Sequence, residues 1–342
     1  MILKIDMPKL NISKLIKSEW DEFVKINVGD YRQFYDWGEL KKKFGWQILR
    51  LEIKDNYKMI STCQLLVKKK WPLMFVYLPG SINGEQEYME NVIKYIKDHN
   101  KIYFLKYIRA DLTLKENEKI ALLHKKIKLK KALYKRSGST QIEYDLKGTT
   151  IDKLKNCDRK WRYNYNRALK NPINITVDFN PDTNLIYKLS KNLEKEKKLG
   201  NGHNFEEVTT IFKDLKDNII YLKATNNEGQ VLGFRAALYN DERAWDFFAV
   251  STKLGRDYKV GYPIMIKTIE EAQKRGVKKY YFIGDDPIRM KNVFHFKKGL
   301  NGKINKYIGE TEWSNFYLIK LIINCILFLT YSNIMPKRFR KH

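Results

Sequence analysis

Residues 278–302 read KKYYFIGDDPIRMKNVFHFKKGLNG, a run that opens as a strand and ends with two aromatics set against two lysines, then Gly299 and Asn301-Gly302. The leading KKYYFIG has the aromatic and β-branched composition of a strand. It follows YPIMIKTIEEAQKR, with Pro263 at its first turn and Gly276 just past its end, the asymmetry that marks a helix. A helix delivering into a strand is half of an α/β unit. The FHFKKG that follows has two readings from the residues alone. It is an ordinary basic turn, or it is a site that positions an anionic donor beside a reacting carbonyl.

Upstream, RAWDFFAV, GQVLGFRAALYN and IIYLKATN read as three strands separated by the turns DE and NNEG. Before them come two helices, FEEVTTIFKDLKD and PDTNLIYKLSKNLEKEKKLG, and the strand INITVDF. IDKLKNCDRKWRYNYNRALKN reads as one basic helix ended by Pro172, and STQIEYDL as the strand before it. The same order recurs, more weakly, nearer the start. A helix in YDWGELKKKFG precedes the strands WQILRLEIK, MISTCQLLVKKK and PLMFVYLPG. The helix EQEYMENVIKYIKDHN then places Tyr88, Val92, Ile93 and Ile96 at helical spacing, and the strand KIYFLKYIRADL follows. Residues 113–136 are lysine-dense and serve as the boundary. The expectation is an α/β (α+β) protein of two related domains, 1–136 and 137–314, each a mixed, mostly antiparallel sheet flanked by helices. Residues 315–342 form an apolar-basic helix and tail.

At 342 residues the chain exceeds what one core usually serves, and 43% apolar content with 22 tyrosines excludes a disordered protein. Lysine and arginine outnumber acids 66 to 39, a formal charge of +27. That field draws polyanions: RNA, anionic lipid or phosphate-bearing small molecules. A lysine-, isoleucine- and asparagine-rich codon bias is the competing explanation. Cys63, Cys157 and Cys325 are far apart, so neither a disulfide framework nor a zinc site is indicated, and a reducing cytoplasm fits. The first residues, MILKIDMPKLNISKL, lack the continuous apolar core of an export signal. Phe316–Tyr331 is apolar apart from Lys320, Asn324 and Thr330, but spans only about 24 Å as a helix, short of a ~30 Å hydrocarbon core. With PKRFRKH after it, two readings stand: a helix lying on the anionic inner leaflet of the cell membrane, or one packed on the first domain.

YDWGELKKKFGWQILRL, DRKWRYNYNRALK and KKYYFIGDDPIRMKNVFHFKKGLNG, in that order, resemble the FemAB/FemX peptidoglycan-bridge aminoacyltransferases and the related BioF-like acetyltransferase domain. The resemblance spans roughly residues 30 to 310. It implies tandem GNAT-like domains, no tightly bound cofactor, an aminoacyl-tRNA or acyl-CoA co-substrate, and an amine acceptor on a lipid- or nucleotide-linked envelope precursor. Wall-synthesis members commonly carry a long helical hairpin that contacts tRNA. Here the helices between Asp182 and Asp217 join through GNGHN, which resembles the short FemX-like form.

The resemblance also assigns residues. Lys297, directly after Phe296 and before Lys298, matches the family's functional lysine; a fixed cation there stabilises a developing oxyanion or holds a donor phosphate. Its rival reading is a solvated lysine. Asp111, closing the strand that contains Arg109, matches an acidic residue beside the acceptor, where a carboxylate orients an ammonium or takes its proton. A turn or N-cap aspartate is the alternative. Trp37 and Lys41 lie four apart on one helix face and match the W-x-x-x-K pattern that contacts acceptor phosphate; the rival is a solvated run, Lys41 to Lys43. Arg159 and Arg162, interleaved with aromatics, suit phosphate contact and base stacking, or else a structural role. STKLGRDYKVGYPIM stands where GNAT enzymes carry a pyrophosphate loop, but offers Arg256 and Gly261 without the glycine spacing. Asp285 and Asp286 read as a turn with no ligand set for a metal, and His203 and His295 as solvated or capping residues.

The function expected is therefore FemX-like transfer of an aminoacyl group from aminoacyl-tRNA to an envelope-precursor amine, in the cytoplasm or on the inner face of the membrane. The alternatives are an acyl-CoA-dependent N-acyltransferase acting on an amino sugar or amino acid, and a noncatalytic RNA- or membrane-binding adaptor.

Overall fold

The computed structural model describes residues 8–115, 123, 125–197, 204–283, 287 and 290–331. Residues 116–122 and 124 of the lysine-dense boundary, Asp285, Asp286, His203 and the basic tail lie outside the described residues. The chain divides into two compact units, the first Met1–Ser139 with Lys306–Leu329 and the second built on Thr140–Asn305.

The first unit contains β1 (Lys9–Ile12), α1 (Lys17–Ile26), α2 (Tyr35–Lys42), β2 (Gln47–Asp55), β3 (Lys58–Lys70), β4 (Leu73–Pro79), β5 (Asn83–Gly84), α3 (Met89–Asp98), β6 (Leu105–Lys115) and β7 (Lys130–Lys131). Its strand order is β1-β2-β3-β4-β6, and the late strand β14 (Lys303–Ser314) pairs with β6. All neighbours on this path are antiparallel except β4 and β6, which run parallel because α3 carries the chain back between them. Val92, Ile93 and Ile96 of α3 are buried as their spacing predicts, against Leu65, Val76, Leu78, Ile108 and Ala110. Those sheet residues alternate along their strands, so one face of the sheet is the core.

The second unit contains β8 (Thr140–Asp145), α4 (Thr150–Asn156), α5 (Arg159–Ala168), β9 (Asn174–Val177), α6 (Thr183–Lys197), α7 (Phe205–Asp214), β10 (Ile219–Thr225), β11 (Val231–Asn240), β12 (Arg243–Ser251), α8 (Lys253–Asp257), α9 (Gly261–Lys274), β13 (Lys279–Phe282) and α10 (Lys291–Lys298). The sheet order is β8-β13-β12-β11-β10-β9, again antiparallel but for one pair, β12 and β13, joined by a helix, α9. One core packs α9 on β10, β11 and β13 through Ile264, Met265, Ile269, Leu222 and Tyr280. Another packs α6 and α7, through Ile186, Val208 and Phe212, on Tyr221, Phe234 and Val250. Among the described residues each unit thus carries a single parallel pair in an otherwise antiparallel sheet, which is the tandem arrangement expected.

Two expectations differ from what is observed. The basic helix read as one is two: Cys157 and Asp158 have extended ψ values of 155° and 145°, which frees the Asp158 N–H to donate to Gly299 O at 2.9 Å. Residues 306–314, read as part of the second domain, pair with β6 in the first unit, and the final helix α11 (Tyr317–Tyr331) follows them there. Among the described residues no helix is long and apolar enough to cross a membrane.

Gly299 closes α10 for a packing reason. A Cβ at this position would lie 2.6 Å from Trp161 Cδ1, and Trp161 is itself fixed by donating Nε1–H to Phe296 O at 3.0 Å. Asn301, at φ +65°, then makes the turn that the Asn-Gly pair suggested. Gly299→Ala is expected to destabilise the protein by about 1–3 kcal/mol, measured by urea unfolding; an unchanged midpoint would contradict this packing account.

Candidate active site

In the second unit the β12–β13 ladder runs from Arg243↔Lys279 to Asp246↔Phe282, whereas β12 continues to Ser251. The β11–β12 register shifts at the same place: Ala237 faces Asp246 and Ala236 faces Phe248, leaving Phe247 as an extra residue. Such a bulge bends a strand and re-aims its side chains. Where the parallel pairing ends, three ionic side chains meet. Arg235 Nη2 lies 2.8 Å from the Asp246 carboxylate, and Lys297 Nζ lies 3.1 Å from Asp246 Oδ2. Lys297 also donates to Ile283 O and sits 5.6 Å from the centre of the Phe282 ring.

Lys297 is 5% exposed, so the solvated-lysine reading is excluded. Burial of Asp246 pushes its carboxyl towards the neutral form, but Arg235 and Lys297 outweigh burial and hold its pKa below the ordinary carboxylate value. Burial drives the Tyr280 hydroxyl, 3.4 Å from Asp246 Oδ1, well above the usual tyrosine range. Phe296 packs edge-on to Tyr262 at 5.1 Å and against Trp161 at 6.1 Å, with the Arg235 guanidinium 5.9 Å from its ring centre. This aromatic cluster fixes the rotation of α10 and, through it, the direction of Lys297.

The remaining second-unit candidates are dispersed. Lys298 and Arg159 are exposed. Arg162 donates to Lys155 O at 2.6 Å, and Arg256 to Ser251 O at 2.7 Å while pairing with Glu196. In the segment where a pyrophosphate loop was sought, α8 forms instead, capped by Thr252 Oγ1 accepting from Gly255 N at 3.0 Å. The N–H groups of Tyr258, Lys259, Val260 and Tyr262 donate to Leu254, Arg256, Gly255 and Lys259 carbonyls.

In the first unit Asp111 lies within β6, not in a turn or at a helix cap, and is 6% exposed. Its Oδ2 accepts from Arg32 Nη1 at 2.6 Å and its Oδ1 from Ser137 Oγ at 3.1 Å. Arg32 also grips Asp30, through Nε–H to Oδ1 at 2.8 Å and Nη2–H to Oδ2 at 3.0 Å. Burial alone would lower the Arg32 pKa, but Asp30 and Asp111 hold it well above the ordinary value. Tyr77, 3.3 Å from Arg32 Nη1, is pushed up by burial. Arg109, two residues before Asp111 on the same face of β6, is 3% exposed and paired with Glu310 of β14. Lys41 Nζ lies 4.9 Å from the Trp37 ring centre, as their spacing predicts, and Trp37 is buried edge-on to Tyr31 at 5.1 Å.

Sequence reading missed Arg32, Asp30, Arg235 and Asp246. The latter two did leave a signal, since GFRAALY and AWDFFAV each put one charge into an apolar strand. Arg32, in the short connection before α2, left none.

Each unit thus sets a buried ionic cluster on a mostly antiparallel sheet with one parallel pair, and comparison with known proteins shows what this fold is similar to. The model of the FemAB family matches residues 174–320. Among solved structures, FemX superposes at TM-score 0.78 with 15% identity, covering 92% of this chain and 100% of its own. A tandem GNAT protein from the clavulanic acid biosynthesis pathway gives TM-score 0.54 at 9% identity, covering 90% and 98%. L-PGS from Bacillus licheniformis gives 0.53 at 12% identity, covering 91% and 96%. No curated protein matches in sequence. Residues 174–320 are thus similar to the FemAB family, and the fold of the chain is like that of FemX and of the tandem GNAT protein.

The depressed pKa of Asp246 has a consequence for stability. Its ion pairs stabilise the fold fully above the ordinary value of 3.8, and that stabilisation is lost as pH falls through the lower folded value. Wild type is expected to exceed Asp246→Asn by about 3–5 kcal/mol near neutral pH, with the gap closing in acid. Urea unfolding at a series of pH values checks this, and a gap that widened in acid would contradict it.

Proposed function

We propose that this protein is a FemX-like aminoacyltransferase that moves an aminoacyl group from aminoacyl-tRNA to an amine of a lipid- or nucleotide-linked peptidoglycan precursor. The amine nitrogen attacks the ester carbonyl, forming a C–N bond and placing negative charge on the carbonyl oxygen. Collapse breaks the C–O bond to the tRNA terminal ribose, and the proton shed by nitrogen leaves with that oxygen. The ester is already activated, so the protein's work is alignment, exclusion of water and stabilisation of the oxyanion. We assign the oxyanion, or a donor phosphate, to Lys297, and the acceptor's ammonium to Asp111, a carboxylate oriented by Arg32 that takes the ammonium's extra proton before the neutral amine attacks.

The observation that carries the reading is the burial of Lys297 beside Asp246, at the end of the β12–β13 pairing and inside the segment that matches the FemAB family. A lysine immobilised by a carboxylate and a carbonyl is a preorganised cation, which a solvated lysine is not. Acyl-CoA as donor is disfavoured by one detail. The N–H groups between α8 and α9 that would receive a pyrophosphate are spent on the chain's own carbonyls.

The test is to incubate purified protein with charged tRNAs, acyl-CoAs and wall precursors and to read mass shifts on the acceptors. A gain of one aminoacyl residue from tRNA is expected, and transfer from acyl-CoA alone would contradict the assigned donor. Lys297→Met should lower turnover about 100-fold or more while circular dichroism stays native; full turnover would contradict its role. Asp111→Asn should reduce kcat/KM for the acceptor and leave the donor's KM unchanged.

A further inference from the structure

The last helix among the described residues, α11, is inside out. A helix on a water-facing protein normally turns its apolar stripe inward. In α11 the polar residues Lys320 and Asn324, one turn apart, face the protein: Lys320 Nζ lies 3.3 Å from Glu312 Oε1, and Asn324 Nδ2 donates to Glu312 Oε2 at 2.7 Å. Asn324 Oδ1 accepts from Tyr134 N at 2.9 Å. Glu312 is 1% exposed and also accepts from the Tyr107 hydroxyl at 2.5 Å, so the polar side of the helix is committed to a buried carboxylate. The outward row is Leu318, Ile322, Ile326 and Leu329, at 55%, 52%, 56% and 39% exposure. Four aliphatic side chains at this spacing form one continuous apolar stripe in contact with solvent.

The same unit extends this face with aromatics and cations. Asn315, just before the helix, donates Nδ2–H to Phe104 O at 2.6 Å, and the Phe104 ring meets Trp71 edge-on at 6.0 Å. Trp71 is 69% and Phe104 57% exposed, large apolar rings that a purely aqueous surface does not favour. Lys68, Lys69 and Lys70 immediately precede Trp71, are exposed, and wall a cavity of about 270 Å³ with Leu73 and Phe75.

We propose that the stripe of α11, with Trp71 and Phe104, is a docking face for an anionic lipid surface. The helix would lie in the plane of the headgroups with its aliphatic row in the acyl boundary. Exposed tryptophan beside exposed lysines is the combination that settles at a membrane–water interface, the ring at headgroup level and the ammonium groups on lipid phosphates. A second copy of this chain is the less suitable occupant, because it would bring the same lysines, on a protein of charge +27, against each other. The inference is independent of which donor and acceptor the enzyme uses.

The test is co-sedimentation of the full chain with phosphatidylcholine vesicles, with and without phosphatidylglycerol, alongside sedimentation velocity of the protein alone. Binding is expected only with phosphatidylglycerol, weakening as salt rises. Leu318→Glu/Ile322→Glu and Lys68→Glu/Lys70→Glu should each weaken it roughly tenfold or more while aminoacyl transfer to a soluble acceptor is unchanged. These exposed positions leave the Glu312 contacts in place, so circular dichroism should stay native. Absence of binding to phosphatidylglycerol vesicles would overturn the proposal. Wild-type binding by both variants, or a dimer abolished by Leu318→Glu/Ile322→Glu without vesicle binding, would also do so.

Discussion

One carboxylate shared by two cations holds the second unit's site together. Asp246 on β12 holds Arg235 from the neighbouring β11 and Lys297 from α10, so a single buried group ties two strands and a helix together. Removing two cations and an anion from water costs several kcal/mol per ion, and the cluster is tolerable only because its geometry is close: both cations reach the one carboxylate and Lys297 adds the Ile283 carbonyl, while Arg235 Nε stays buried without a hydrogen-bond partner. That constraint explains why α10 is so closely packed. Its Phe296 is wedged between Trp161 and Tyr262, its end is a glycine because Trp161 leaves no room for a Cβ, and the α4–α5 break lets Asp158 bind Gly299 O. An ammonium on a loosely held helix could not stay 3.1 Å from a buried carboxylate.

The first unit uses the inverse arrangement: one guanidinium, Arg32, between two carboxylates, Asp30 and Asp111. The second unit's cluster suits a group that gains negative charge, and the first unit's suits a group that arrives as a cation. Each cluster has its carboxylate on a strand of the parallel pair within an otherwise antiparallel sheet, Asp111 on β6 paired with β4 and Asp246 on β12 paired with β13. The repeated topology therefore provides two comparable platforms, and the side chains on them decide what each binds.

Much of the fold was legible because periodicity is local. Val92, Ile93 and Ile96 announced α3, and the alternating apolar runs announced β10 to β12. Trp37 and Lys41 met on one helix face for the same reason. What could not be read was long-range pairing. Nothing local to GETEWS says that Glu310 and Glu312 stand opposite Asp111 and Arg109, some 200 positions earlier. For that reason the domain boundary drawn by sequence order left β14 in the wrong half of the chain. Lys297 was singled out through resemblance, whereas the partners it has in the structure, Arg235 and Asp246, needed the strand register; each of these was visible only as a lone charge in an apolar strand. Arg32 sits in a short connection where no period operates.

If Lys297 acts on the donor and Asp246 acts only by holding Lys297, the two are one functional unit, and losses at such a unit do not multiply. The most direct measurement is the rate constant for aminoacyl transfer in Lys297→Met, Asp246→Asn and the double variant, each checked for native circular dichroism. The account predicts a double variant no slower than Lys297→Met alone. A double variant whose loss is the product of the two single losses would show that the two residues act independently, and would contradict the claim that a shared carboxylate aims the lysine.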